Sequence, residues 1–176
     1  MKKNLFIWQF AGITFTAVLG TLLHFFYEWT GVKIFAPISA VNESTFEHMK
    51  LVFVPAFIFA IIQGIFSKND YPCFWVVKLI GITIGTLLVP ILFYTLGGSF
   101  GELSAVINIA IFFVSVIVGY LVELFLFNRL SCKWWLTGLA ITILVCILIL
   151  FFVFTFYPPK IPLFLDPVTN GYGITK

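Results

Sequence analysis

The stretch WWLTGLAITILVCILILFFVFTFY, residues 134–157, carries no charge from end to end. It exceeds the roughly 20 apolar residues that take a helix across the hydrocarbon core of a bilayer, where a segment must satisfy its own backbone, and so it predicts a spanning helix. Four more segments toward the N-terminus read the same way, at about 103–128, 74–97, 45–67 and 5–27. Five spans use up nearly all of the 176 residues. The expected fold is therefore an all-α integral membrane protein, one transmembrane domain over 1–176, built as a bundle of five helices. A composition of 61% hydrophobic and 10% charged residues lies far from the soluble norm and agrees. The opening "MKKN" resembles the start of a signal peptide, but the apolar part behind it is longer than the usual ~7–15 residues and no small-residue cleavage site follows. It reads as a retained first helix.

Placement of Lys and Arg sets the expected orientation. With the N-terminus inside, Lys2, Lys3, Lys68, Arg129 and Lys133 are cytoplasmic, against Lys33, Lys50, Lys160 and Lys176 outside. This narrow margin predicts a plasma-membrane protein with a cytoplasmic N-terminus and an extracellular C-terminus. It also groups the 28–50 connection, the "GGSFGE" turn and the tail on one face. Cys73, Cys132 and Cys146 show no C-x-x-C spacing and none reaches the outer face, so neither a disulfide framework nor a thiolate metal site is expected. Small and polar residues at helical spacing mark expected seams, since close backbone approach and polar contacts drive association in lipid. They are Gly12, Thr16, Gly20, His24 and Glu28 in the first helix, Gly81 and Gly85 in the third, and Ser115, Gly119 and Glu123 in the fourth. Lys78, near its helix end, is expected to snorkel to the headgroups rather than pair with Glu123.

The polar exception is "SAVNESTFEHMK", residues 39–50. Ser44 and Glu47 have the spacing of a capping box directly before an apolar run, which predicts the start of the second helix. That does not account for Glu43, His48, or the pair His24 and Glu28. Positions i and i+4 share a helix face, so His24 and Glu28 can present an imidazole and a carboxylate to one point, with His48 at comparable depth. Two histidines and a carboxylate with an open position suit zinc or another divalent metal, with His24, Glu28 and His48 as ligands. Glu43, Glu47 or His48 would then supply acid–base chemistry, and Glu102 and Asp166 could support them. A hydrogen-bonded staple between helices is the plainer alternative.

Ser44 and His48 form S-x-x-x-H, which resembles the first motif of the membrane hydrolase superfamily that includes alkaline ceramidases. That resemblance implies a late H-x-x-x-H and three zinc histidines. This chain has only His24 and His48, so such a site cannot be completed. The tail, 158–176, begins "PPKIPLFLDPVTNGYG", where the prolines favour an extended course and "DPVTNGYG" is turn chemistry. It is expected to fold back over the outer face. "VNESTFEHMKL" and this tail together are similar to a family of small, uncharacterised bacterial membrane proteins, mostly Gram-positive, with an N-E-S-x-aromatic-E-H segment and a P-P-x-x-P-L-F-x-D-P tail. The resemblance marks Asn42, Glu43, Ser44, Glu47, His48, Asp166 and Tyr172 as motif positions and implies that the two motifs meet in space.

Three functions remain open. One is a metal-dependent enzyme acting on a lipid or isoprenoid. Another is a small transporter or solute-binding subunit with the tail as a lid, for which Gln63, Asn108, Ser115 and Glu123 would have to extend the polar line inward. The last is an accessory protein in which the cluster only caps and staples helices. Membrane lipids and a hydrophobic or small-molecule ligand are the expected partners; nucleic acid is not.

Overall fold

The computed structural model describes residues 3–174 apart from 72 and 102. Among these, five α-helices follow one another: α1 (Lys3–Thr30), α2 (Thr45–Ser67), α3 (Phe74–Phe100), α4 (Ala105–Leu126) and α5 (Trp134–Phe156). All five are long and apolar enough to cross a membrane, and no strand occurs among the described residues. The chain is an all-helical membrane protein. Its centre is α2, which packs against each of the other four helices. Two thirds of its apolar window is buried in protein, against 22% for α5, although α5 is the more hydropathic. In lipid the most apolar helix is the peripheral one, because hydrocarbon solvates it as well as protein does.

Glycine sets the seams. A methyl group on Gly81 would lie 2.9 Å from the carbonyl of Gly119, and one on Gly85 would lie 2.9 Å from that of Ser115, so α3 and α4 touch backbone to backbone. That closeness explains a correction. Lys78 does not snorkel: it is fully buried, with Nζ 2.6 Å from Glu123 Oε2. The rings of Phe59, Phe74, Tyr120 and Phe127 stand around the ammonium at 5.2 to 5.8 Å. With the helices this close the carboxylate is nearer than the headgroups, and the rings add cation–π attraction. Across the bundle, Thr16 of α1 and the Tyr120 hydroxyl of α4 share a 2.8 Å hydrogen bond.

Two further expectations fail. Lys50 is not an outer-face charge; it is buried, and its Nζ donates to Glu47 Oε2 at 2.6 Å and to Ala36 O and Thr155 Oγ1 at 2.9 Å. All three ammonium protons are thus placed, which is what lets a lysine sit without water. Cys73 and Cys132 form a disulfide, with Cα atoms 5.4 Å apart. Cys73 precedes α3 and Cys132 precedes α5; the turns that carry them meet at one end of the bundle, where Tyr71 and Phe74 pack on Phe127.

At the other end the tail folds back as expected. Phe164 is buried against Phe46 of α2, ring centroids 4.4 Å apart. A single bridge joins Leu165 to Tyr172 and closes the terminal loop. Asn42 Nδ2 donates to Gly173 O at 2.9 Å across 131 residues of sequence, so the two motifs do meet. Gly173 has φ +68, and a Cβ there would also press on Pro158 at 3.0 Å. Only glycine fits that position without strain.

Candidate metal centre

Ser44 caps α2: its hydroxyl accepts from the Glu47 amide at 3.4 Å. The reciprocal half of a capping box is rearranged. Asn42 Oδ1 takes the Ser44 N–H at 2.9 Å, and the Glu47 carboxylate reaches back to the Val41 N–H at 3.0 Å. With Lys50 as its third contact, Glu47 is 2% exposed and committed to the fold. Expected as a possible acid–base group, it instead ties the start of α2 to the preceding loop.

Fixing the loop this way leaves Glu43 as the residue that turns outward, at the positive end of α2, where a carboxylate is favoured. His48 lies in the first turn of that helix. Its Nδ1 is 2.9 Å from the Ser44 carbonyl, which can only accept, so Nδ1 carries a hydrogen and in the neutral ring Nε2 holds the lone pair. That lone-pair nitrogen is 3.7 Å from Glu43 Oε2, and His24 Nε2 of α1 is 3.7 Å from Glu43 Oε1. One ligand atom from each of His24, Glu43 and His48 lies within 4.8 Å of the others. Tetrahedral zinc with bonds of about 2.0–2.1 Å needs ligand atoms roughly 3.3 Å apart, so small side-chain rotations close the gap.

At 3.7 Å each imidazole stands at ion-pair distance from Glu43, beyond hydrogen-bonding reach. The His24 and His48 side chains are about a quarter exposed and Glu43 about half, unlike a staple closed within the protein.

Glu28 is not in the group, and Glu43 stands in its place. A four-residue step rotates a helix position by about 40° and raises it by about 6 Å. The stripe therefore starts buried at Gly12, Thr16 and Gly20, is half-buried at His24, and has turned out to an exposed Glu28. Asp166 is 2% exposed and serves the tail, accepting from Val168 N at 3.0 Å and Thr169 Oγ1 at 2.6 Å. Tyr172 packs beneath that turn against the main core. Glu102 lies outside the described residues.

Two cavities meet at the cluster. One, of about 640 Å³, opens between the end of α3, the start of α4 and the tail, and is lined by Tyr94, Gly98, Leu103 and Val168. The other, of about 300 Å³, lies between α1 and α4. Glu43, His48, Asn108 and Phe112 line both. Asn108, which transport would require on a polar line inward, borders these cavities, and its Oδ1 is shut from solvent without a hydrogen-bond partner.

The chain belongs to a family of unknown function, DUF6512. The match runs over residues 1–174, essentially the whole chain. No curated protein and no solved structure matches it. Membership accords with the expected uncharacterised family and assigns no activity.

Proposed function

We propose that this protein is a metal-dependent membrane enzyme, a hydrolase or transferase acting on a lipid or isoprenoid, with His24, Glu43 and His48 as ligands of a divalent cation. The observation that carries it is the convergence of three donors from two helices and a loop. Two of them are imidazoles, one of those has its tautomer fixed, and the set is half-open to cavities large enough for a substrate. His24, Glu43 and His48 would hold a zinc-type ion with one position free, and the chemistry it would supply there is activation of water or polarisation of a phosphoryl or carbonyl oxygen. The chain's own part is to orient the ion through Ser44 and His48. Leu51, Phe112 and Phe113 give the α1/α4 cavity an apolar wall.

Transport is the weaker reading. Beyond the cluster, Ser115 and Glu123 border only a void of about 10 Å³, scarcely one water, between helices locked by glycine.

Metal analysis of the detergent-purified protein after zinc loading tests the proposal. Stoichiometric zinc is expected in the wild type, lost in His24→Ala, Glu43→Ala and His48→Ala and kept in Glu28→Ala. A folded wild type that takes up no divalent ion overturns it.

A further inference from the structure

We propose that the cavity between α1 and α4 receives the hydrocarbon chain of an amphiphilic lipid directly from the bilayer and brings its oxygen-bearing headgroup to His24, Glu43 and His48. This rests on the metal-centre reading above and adds the cavity that holds the lipid chain and its route from the bilayer.

The first support is position. The cavity is bounded by Gly20, Thr21 and Phe25 of α1 and by Ala105, Ile109 and Phe113 of α4, all within spanning helices. Phe25, Ile109 and Phe113 are 39%, 57% and 40% exposed. At these positions the surrounding medium is lipid, so the cavity's natural occupant is a lipid chain.

The second support is that the gap is local. Lower down, α1 and α4 are closed: a methyl on Gly12 would overlap the Tyr120 ring, and Thr16 is bonded to Tyr120. Further out, Phe112 fills the space beside Gly20, and the helices part beyond it, at the level of His24. A chain entering sideways therefore meets a floor and is stopped with its polar end at the cluster.

The third support is chemical. His24, Glu43 and His48 line the same cavity and would offer a coordination position to an oxygen, with the Asn108 side chain beside them. Chain in lipid and oxygen on the ion describe an amphiphile with an oxygen-bearing headgroup. The larger cavity beneath the tail remains for the portion that faces water.

The test uses the full chain in phosphatidylcholine nanodiscs, with and without zinc. The probe is a monoacyl glycerol phosphate carrying a diazirine in its chain. Photolabelling is expected to concentrate on the peptides holding Phe25, Ile109 and Phe113. An excess of unlabelled monoacyl glycerol phosphate should displace it, and glycerol phosphate or inorganic phosphate, which lack a chain, should not. Ala105→Trp, and separately Thr21→Trp, should block the entrance and cut this labelling about tenfold while stoichiometric zinc is retained. Both positions are exposed, so the added bulk meets lipid rather than core. Labelling spread evenly over all lipid-facing helices, or unchanged in both variants while zinc stays bound, overturns the lipid route and leaves the metal centre standing. Absence of zinc from the wild type instead overturns the metal reading.

Discussion

Two charged clusters sit in the same bundle and are built in opposite ways. At one end Lys78 and Glu123 are 0% and 2% exposed, 2.6 Å apart, and walled in by four aromatic rings. At the other end His24, Glu43 and His48 are a quarter to a half exposed, held at 3.7 Å, and bordered by cavities. The first arrangement has used its interactions on itself. Removing either partner leaves an isolated charge in a medium that cannot solvate it, so the pair works as structure. The second arrangement has orientation without full satisfaction: His48 is fixed by a backbone carbonyl, yet its other ring nitrogen meets Glu43 only at the longer distance of an ion pair, 3.7 Å. Groups positioned and left open are the form that binding chemistry takes.

The contrast can be broken by mutation. Lys78→Met should cost about 3–5 kcal/mol and Glu123→Leu a similar amount, while the double variant, which leaves no orphan charge, should recover most of the loss. Unfolding in a detergent series reads all three. Single variants as stable as wild type would mean that the closed cluster is not structural.

A smaller effect sharpens the other end. Asn42→Ala deletes both the bond to Gly173 O and the one from Ser44 N. It should lower stability by about 1–2 kcal/mol. Hydrogen exchange should rise over residues 165–173, because Asn42 ties that loop to the start of α2. Unchanged exchange there would show that the Phe46–Phe164 contact holds the tail without it.

The smallest effect is the most telling. Metal-free Glu43→Ala should unfold within about 1 kcal/mol of wild type, since a half-exposed carboxylate at a helix N-terminus with two long ion pairs contributes little. A large loss in thermal unfolding would move Glu43 to the structural side of the comparison.

Much of this was legible in the residues. The five spans follow from apolar length, and the α3–α4 seam from Gly81, Gly85, Ser115 and Gly119. The meeting of the outer segments was implied by their motifs. Which carboxylate stands with the two histidines was not. Spacing pointed to Glu28, since i and i+4 share a face, but the same geometry rotates that face outward over four turns. Glu43 belongs to a loop, and its direction is decided by Asn42 and Glu47 capturing the neighbouring amides, a tertiary detail without periodicity. Lys78 and Glu123 each lie near a helix end, which leaves both snorkelling and pairing open to them. What the residues could not say is how near two glycine-faced helices come, and that distance decides between snorkelling and pairing. Nor can composition tell which helix is central, because lipid rewards apolar residues on the outside.

The Cys73–Cys132 bond carries a consequence for how the molecule is threaded. It lies at the end that also bears Lys68, Arg129 and Lys133. Cation bias places such an end in the cytosol, whereas a lasting cystine belongs to the oxidising side. The two signals oppose each other, so the redox state of this single linkage in living cells reports the sidedness of the whole protein. Found oxidised, it would point the candidate centre at the cell interior; found reduced, it would point it at the outside world.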